Sequence, residues 1–99
     1  MNKLERARAE INRVDREIAK LFQERMKAVE DVIDYKIENG MEILDSGREQ
    51  EVIEKNRALI SEKKYEKYYV DFIVNMMKIS KEYQKEILDK KRGIKIGEK

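Results

Sequence analysis

Thirty-nine residues precede the first glycine, Gly40, and the chain contains no proline. Over that stretch apolar residues recur at steps of three and four: Leu4, Ile11, Ile18, Phe22, Val29 and Val32. Arg8, Asp15, Arg25 and Lys36 fall on the same stripe and complete its period. With neither kink residue present, this reads as one helix from Asn2 or Lys3 to Asn39, closed by Gly40 as a residue free to take positive φ. At 1.5 Å per residue it is on the order of 55 Å long, whereas a compact chain of this size has a radius of gyration of only about 13 Å. One chain cannot cover such a stripe along its whole length, so a second chain is expected to. The content of the stripe is also unusual, because a helix normally places its cations opposite its apolar face. Arg8, Arg25 and Lys36 therefore need a reason to be where they are.

The remaining composition narrows what that reason is. Ninety-nine residues make a single domain, and 44% charged with 40% hydrophobic residues at helical spacing fits long helices better than sheet. The formal net charge is only +2, from 23 basic and 21 acidic residues, which argues against a nucleic-acid partner. Cysteine and histidine are both absent. Thiol chemistry, the commonest metal ligand and the commonest neutral-pH general base are thereby excluded. No stretch approaches the length of a membrane span, and the N-terminus has no apolar signal-peptide core, so a cytoplasmic protein with no membrane partner is expected.

After Gly40, Met41–Ser46 reads as a loop, and a second helix begins at Asp45 or Ser46. Ser46-Gly47-Arg48-Glu49 matches a capping box, with serine at the N-cap and glutamate three residues on. Val52, Ile53, Asn56, Leu59 and Ile60 continue at helical spacing until the pattern lapses around Ser61–Lys64. A third helix is predicted from Tyr65 or Glu66 to Lys90, with Tyr69, Phe72, Ile73, Met76, Met77, Tyr83, Ile87 and Leu88 on its apolar face. Ser80 and Gln84 lie among them, one turn apart. The domain is expected to span 1–90, with 91–99 as a frayed basic tail.

Arg25 and Lys36 are eleven residues apart, about three turns, so they share an azimuth with their Cα atoms roughly 16 Å apart. Two long side chains at that spacing converge on a small anion. Arg8 lies about 25 Å from Arg25 along the same helix and reaches that anion only from the partner of an antiparallel pair. Each residue also has a plain structural reading. Cationic stems often lie along apolar surface with their heads in water. Asp15 suits a register-setting ion pair, Glu49 a cap, and Ser80 and Gln84 a tolerated or mutually bonded pair. Together, however, two cations, an acid, a hydroxyl and an amide on the core side of three helices are costly to bury empty. They suit an anionic ligand that carries hydroxyl or ether oxygens.

The ordered set Arg8-Ala-Glu-Ile11, Asp15, Glu24-Arg25, Lys36, Asp45-x-x-Arg48-Glu49 and Ser80-x-x-x-Gln84 resembles the all-helical chorismate mutases, from about Leu4 to Leu88. The resemblance implies an all-α fold of three helices per chain, one of them very long, in an intertwined homodimer that forms a six-helix bundle. It implies the Claisen rearrangement of chorismate to prephenate, in phenylalanine and tyrosine biosynthesis, without a metal or cofactor. Arg8 of one chain and Arg25 of the other are then expected to hold substrate carboxylates, and Lys36 the ether oxygen and a carboxylate. Glu49, with the backbone near Asp45, is expected to bind the ring hydroxyl, Arg48 and Ser80 to contact substrate, and Gln84 to bond the ether oxygen. Lys36, Gln84 and Arg25 are the expected catalytic groups. Two departures from the family pattern, a loop Met41–Leu44 without proline and Gly47 at the helix start, imply a less rigid loop over the site. Isochorismate pyruvate-lyase activity on the same scaffold and a non-catalytic helical dimerisation module are the alternative readings.

Overall fold

The computed structural model describes residues 1–93. Its elements are α1 (Lys3–Glu38), α2 (Ser46–Ala58), a single 3-10 turn at Lys63–Tyr65, and α3 (Glu66–Lys91), with no strand among the described residues. The greater part of the expected basic tail, 94–99, lies outside them, and α3 runs one residue beyond its predicted end. The described chain extends 55 × 31 × 24 Å with a radius of gyration of 17.3 Å, well above that of a compact domain. Its length is set by α1.

Both ends of α1 are closed by local chemistry. Asn2 and Glu5 form a reciprocal capping box, the Asn2 side chain accepting from the Glu5 amide at 2.8 Å. At the other end Gly40 takes φ 61°, as predicted. The Gly40 amide donates to the Ile37 carbonyl and the Met41 amide to the Lys36 carbonyl, at 3.3 and 2.8 Å, which is the Schellman pattern.

The start of α2 differs from the expected capping box. Asp45, in extended conformation, is the N-cap, and its carboxylate accepts from the Arg48 amide at 3.0 Å. The Glu49 amide, which a serine cap would have taken, donates instead to the Asp45 carbonyl at 2.9 Å, so the register shifts by one and Glu49 falls too far along the first turn to reach back. Glu49 is thereby released for a contact elsewhere.

The C-terminal half of α1 packs on α3, and α3 packs on α2. The buried apolar residues are Val29 and Ile33 on α1 with Ile73 and Met77 on α3. Ile33, only 1% exposed, lies off the sequence stripe, whereas Val32 on the stripe is 46% exposed. The covered positions of α1 are 22, 25, 26, 29, 30, 33, 36 and 37, so its inner face is centred on Val29 and Ile33 rather than on the line through Val32. Every residue from Met1 to Lys20 is exposed, including Leu4, Ile11 and Ile18. Phe72, expected on the inner face of α3, is also exposed, stacked beside Tyr69.

Candidate functional site

The three helices meet around one small cavity of about 180 Å³. Arg25 and Lys36 line it from α1, Asp45, Arg48 and Glu49 from the start of α2, and Ser80 and Gln84 from α3. Val29, Val32, Ile43, Val52 and Met77 supply its apolar walls. Seven of the eight residues singled out in the sequence are thus brought together. The eighth, Arg8, sits on the exposed N-terminal half of α1 and does not join them within one chain.

Arg25 crosses to α3 and donates from Nη1 to the Ser80 hydroxyl, which itself donates to the Met76 carbonyl at 2.9 Å. Ser80 is 5% exposed and Gln84 7%. Ser80 therefore bonds to Arg25 and its own helix rather than to Gln84. Partial burial of the guanidinium lowers the Arg25 pKa from its ordinary value, because desolvation disfavours the charged form. An arginine nevertheless stays protonated at any working pH, so the guanidinium donors not used on Ser80 favour an anion as partner.

Lys36 Nζ donates to the Ile43 carbonyl at 2.7 Å and draws the 39–45 loop over the cavity. The loop expected to be loose is therefore held by a charge-assisted hydrogen bond. Gly47 has an ordinary helical backbone, and a Cβ there would meet only Asp45 Oδ1, at 3.6 Å. Arg48 turns outward to Glu51 at 2.9 Å, with both side chains more than half exposed. Gln84 Oε1 is buried and has no hydrogen-bond partner. A buried orphan acceptor costs about 1–3 kcal/mol, and only a hydrogen-bond donor relieves it.

One wall residue was missed in the sequence. Lys81 Nζ lies 2.8 Å from Glu49 Oε2, an ion pair joining α3 to α2 at the rim of the cavity. Its position four residues after Met77 and three before Gln84 places it on their helix face. Its neighbours Lys78 and Lys85 gave it the look of one more solvated cation. Lys81 and Lys36 also face a larger, open groove of about 900 Å³ between the 40–44 segment and the end of α3.

Among the described residues no cluster of carboxylates is placed to hold a metal ion, and no helix is long and apolar enough to cross a membrane. The arrangement offers cations, a buried amide and two carboxylates already engaged in a cap and an ion pair, with no nucleophile beside a base. It is suited to holding and polarising an anion rather than to attacking it. Neither the curated proteins nor the solved structures contain a significant match to the chain. The family model described as chorismate mutase type II matches residues 7–85, and the chain, with its helical fold and its ordered site residues, belongs to that family.

Proposed function

We propose that the protein is a chorismate mutase that rearranges chorismate to prephenate within a homodimer. The reaction is pericyclic: the ether C–O bond breaks as a C–C bond forms, with no proton transfer and no covalent enzyme intermediate. It needs no general base, so the two carboxylates of the cavity, Asp45 capping α2 and Glu49 paired with Lys81, take no proton in it. The observation that carries the reading is the convergence of Arg25, Lys36 and the buried Gln84 on one small cavity.

The two kinds of group do different work. Arg25, anchored on Ser80, and Arg8 from the partner hold the two carboxylates, so that the flexible dianion is bound in its compact reactive conformation. Lys36 and Gln84 donate to the ether oxygen, where negative charge grows as its bond to carbon lengthens. Because that charge is largest in the transition state, these donors lower the barrier rather than merely bind substrate. Glu49 and the backbone near Asp45 take the ring hydroxyl, and Arg48 closes the site when ligand draws it inward from Glu51. No metal or cofactor has a part in this scheme.

The second chain is supported by the surface that one chain leaves open. Leu4, Ile11, Val14, Ile18 and Leu21 are each exposed along the same half of α1 that carries Arg8. A row of exposed apolar side chains at helical spacing suits an interface with a second helix. An antiparallel copy covers it and brings Arg8 to the other chain's Arg25. The domain then comprises residues 1–90, six helices in all forming the dimer.

The test is an ultraviolet assay of purified protein for loss of chorismate and formation of prephenate, with isochorismate in parallel. Prephenate formation with a first-order rate per site well above the uncatalysed reaction is expected. Turnover of neither substrate, with no thermal stabilisation by a bicyclic diacid transition-state analogue, would leave a dimerisation module as the better reading.

A further inference from the structure

We propose that Lys81 is a positioning residue that sets the affinity of the site for its dianionic ligand by holding, and electrically offsetting, the Glu49 carboxylate. This rests on the chorismate reading of the cavity and adds a residue to it. Glu49 is the awkward member of an anion site, since an ionised carboxylate at its rim repels the ligand that the arginines attract. Asp45 is engaged in capping α2, but Glu49 is not needed there. It turns instead to Lys81, whose Nζ approaches Oε2 at 2.8 Å, with the two side chains 27% and 36% exposed.

The contrast with Arg48 is informative. That neighbour pairs with Glu51 outside the cavity, where both partners are more than half exposed and such a pair contributes little. The Lys81–Glu49 pair is drier and bridges two helices, so it restrains Glu49 as well as neutralising it. With Oε2 engaged by the ammonium, Oε1 remains to accept a hydrogen bond from a ligand hydroxyl. The hydroxyl takes no part in the bond changes at the ether. Lys81 therefore acts equally on ground state and transition state, and its loss is expected in KM rather than in kcat.

The experiment compares steady-state constants for the wild type, Lys81→Met, Lys81→Arg, Glu49→Gln and the Lys81→Met/Glu49→Gln double variant. Lys81→Met is expected to raise KM about tenfold while kcat stays within about twofold, and Lys81→Arg to restore most of the affinity. In the Glu49→Gln background the same lysine change should raise KM less than about threefold, because no carboxylate is left to offset. A purely structural role for Lys81 would not produce that dependence on Glu49. An unchanged KM in Lys81→Met, an equal loss of kcat, no rescue by arginine, or a full tenfold effect in the Glu49→Gln background would each overturn the proposal. A wild type that does not convert chorismate overturns the reading of the site itself. A converting wild type matched by Lys81→Met overturns the role of Lys81 alone.

Discussion

The Lys36 ammonium donates to the Ile43 carbonyl at 2.7 Å, while the Lys36 carbonyl accepts from the Met41 amide at 2.8 Å. One residue thus ties the end of α1 to the loop over the cavity through both its backbone and its side chain. The loop has no proline to stiffen it, and this lysine takes over that duty. An ammonium has three donors, so contact with Ile43 leaves two for a ligand. On the proposed reading the same cation closes the loop and polarises the ligand beneath it.

Replacing Lys36 by alanine should therefore produce two separable effects. Turnover is expected to fall by about two to three orders of magnitude, the usual consequence of losing one preorganised donor. Amide exchange at Met41–Asp45 should accelerate in the same variant while the buried stretch around Ile33 and Ile73 keeps its protection. Kinetics and hydrogen-exchange mass spectrometry check the two effects independently. Near-normal turnover would remove Lys36 from the chemistry.

Gln84 gives a pH-dependent prediction. In Gln84→Glu the side chain donates to an ether oxygen only when its carboxyl is protonated. Above the carboxyl pKa that form declines roughly tenfold per pH unit, so activity should rise as pH falls toward the glutamate range. Burial of this position, 7% exposed in the native chain, extends the active range upward because desolvation favours the neutral acid. A flat kcat profile between neutral and acidic pH would contradict the contact.

The shared site can be tested by complementation. Arg8→Ala and Lys36→Ala homodimers should both be nearly inactive. After subunit exchange each heterodimer carries one site with both residues intact, so an equal mixture should recover about a quarter of the wild-type sites. Proven exchange without recovery would mean that Arg8 does not cross between chains.

Tyr83 gives a stability prediction away from the cavity. Its hydroxyl donates to Glu30 Oε2 at 2.6 Å, and this hydrogen bond, with burial and the nearby carboxylates, raises its pKa above the ordinary tyrosine value. The neutral phenol is the form favoured by folding. Its stabilisation is present in full below the unfolded tyrosine pKa of about 10 and is lost as pH rises through the folded value. Wild type should exceed Tyr83→Phe in urea midpoint at pH 8, and the gap should close in strongly alkaline solution. A gap that widens with pH would reverse the sign of the linkage.

The periodicity of α1, the positive φ of Gly40, the three helices and the meeting of Arg25, Lys36, Asp45, Arg48, Glu49, Ser80 and Gln84 around one cavity were all legible in the sequence. They depend on relations within a few turns of helix, or on an ordered set of residues that resembles a family pattern. The rotation of α1 was not legible, because adjacent positions differ by about 100° and only packing on α3 decides that Ile33 is buried and Val32 is not. The cap at Asp45 was missed because aspartate and the following serine are both good N-caps, and the choice between them depends on backbone conformation. Lys81 was hidden for a related reason. A lysine in a lysine-rich helix becomes a site residue only when another helix brings a carboxylate to it, and that pairing across α2 and α3 is a product of tertiary structure alone.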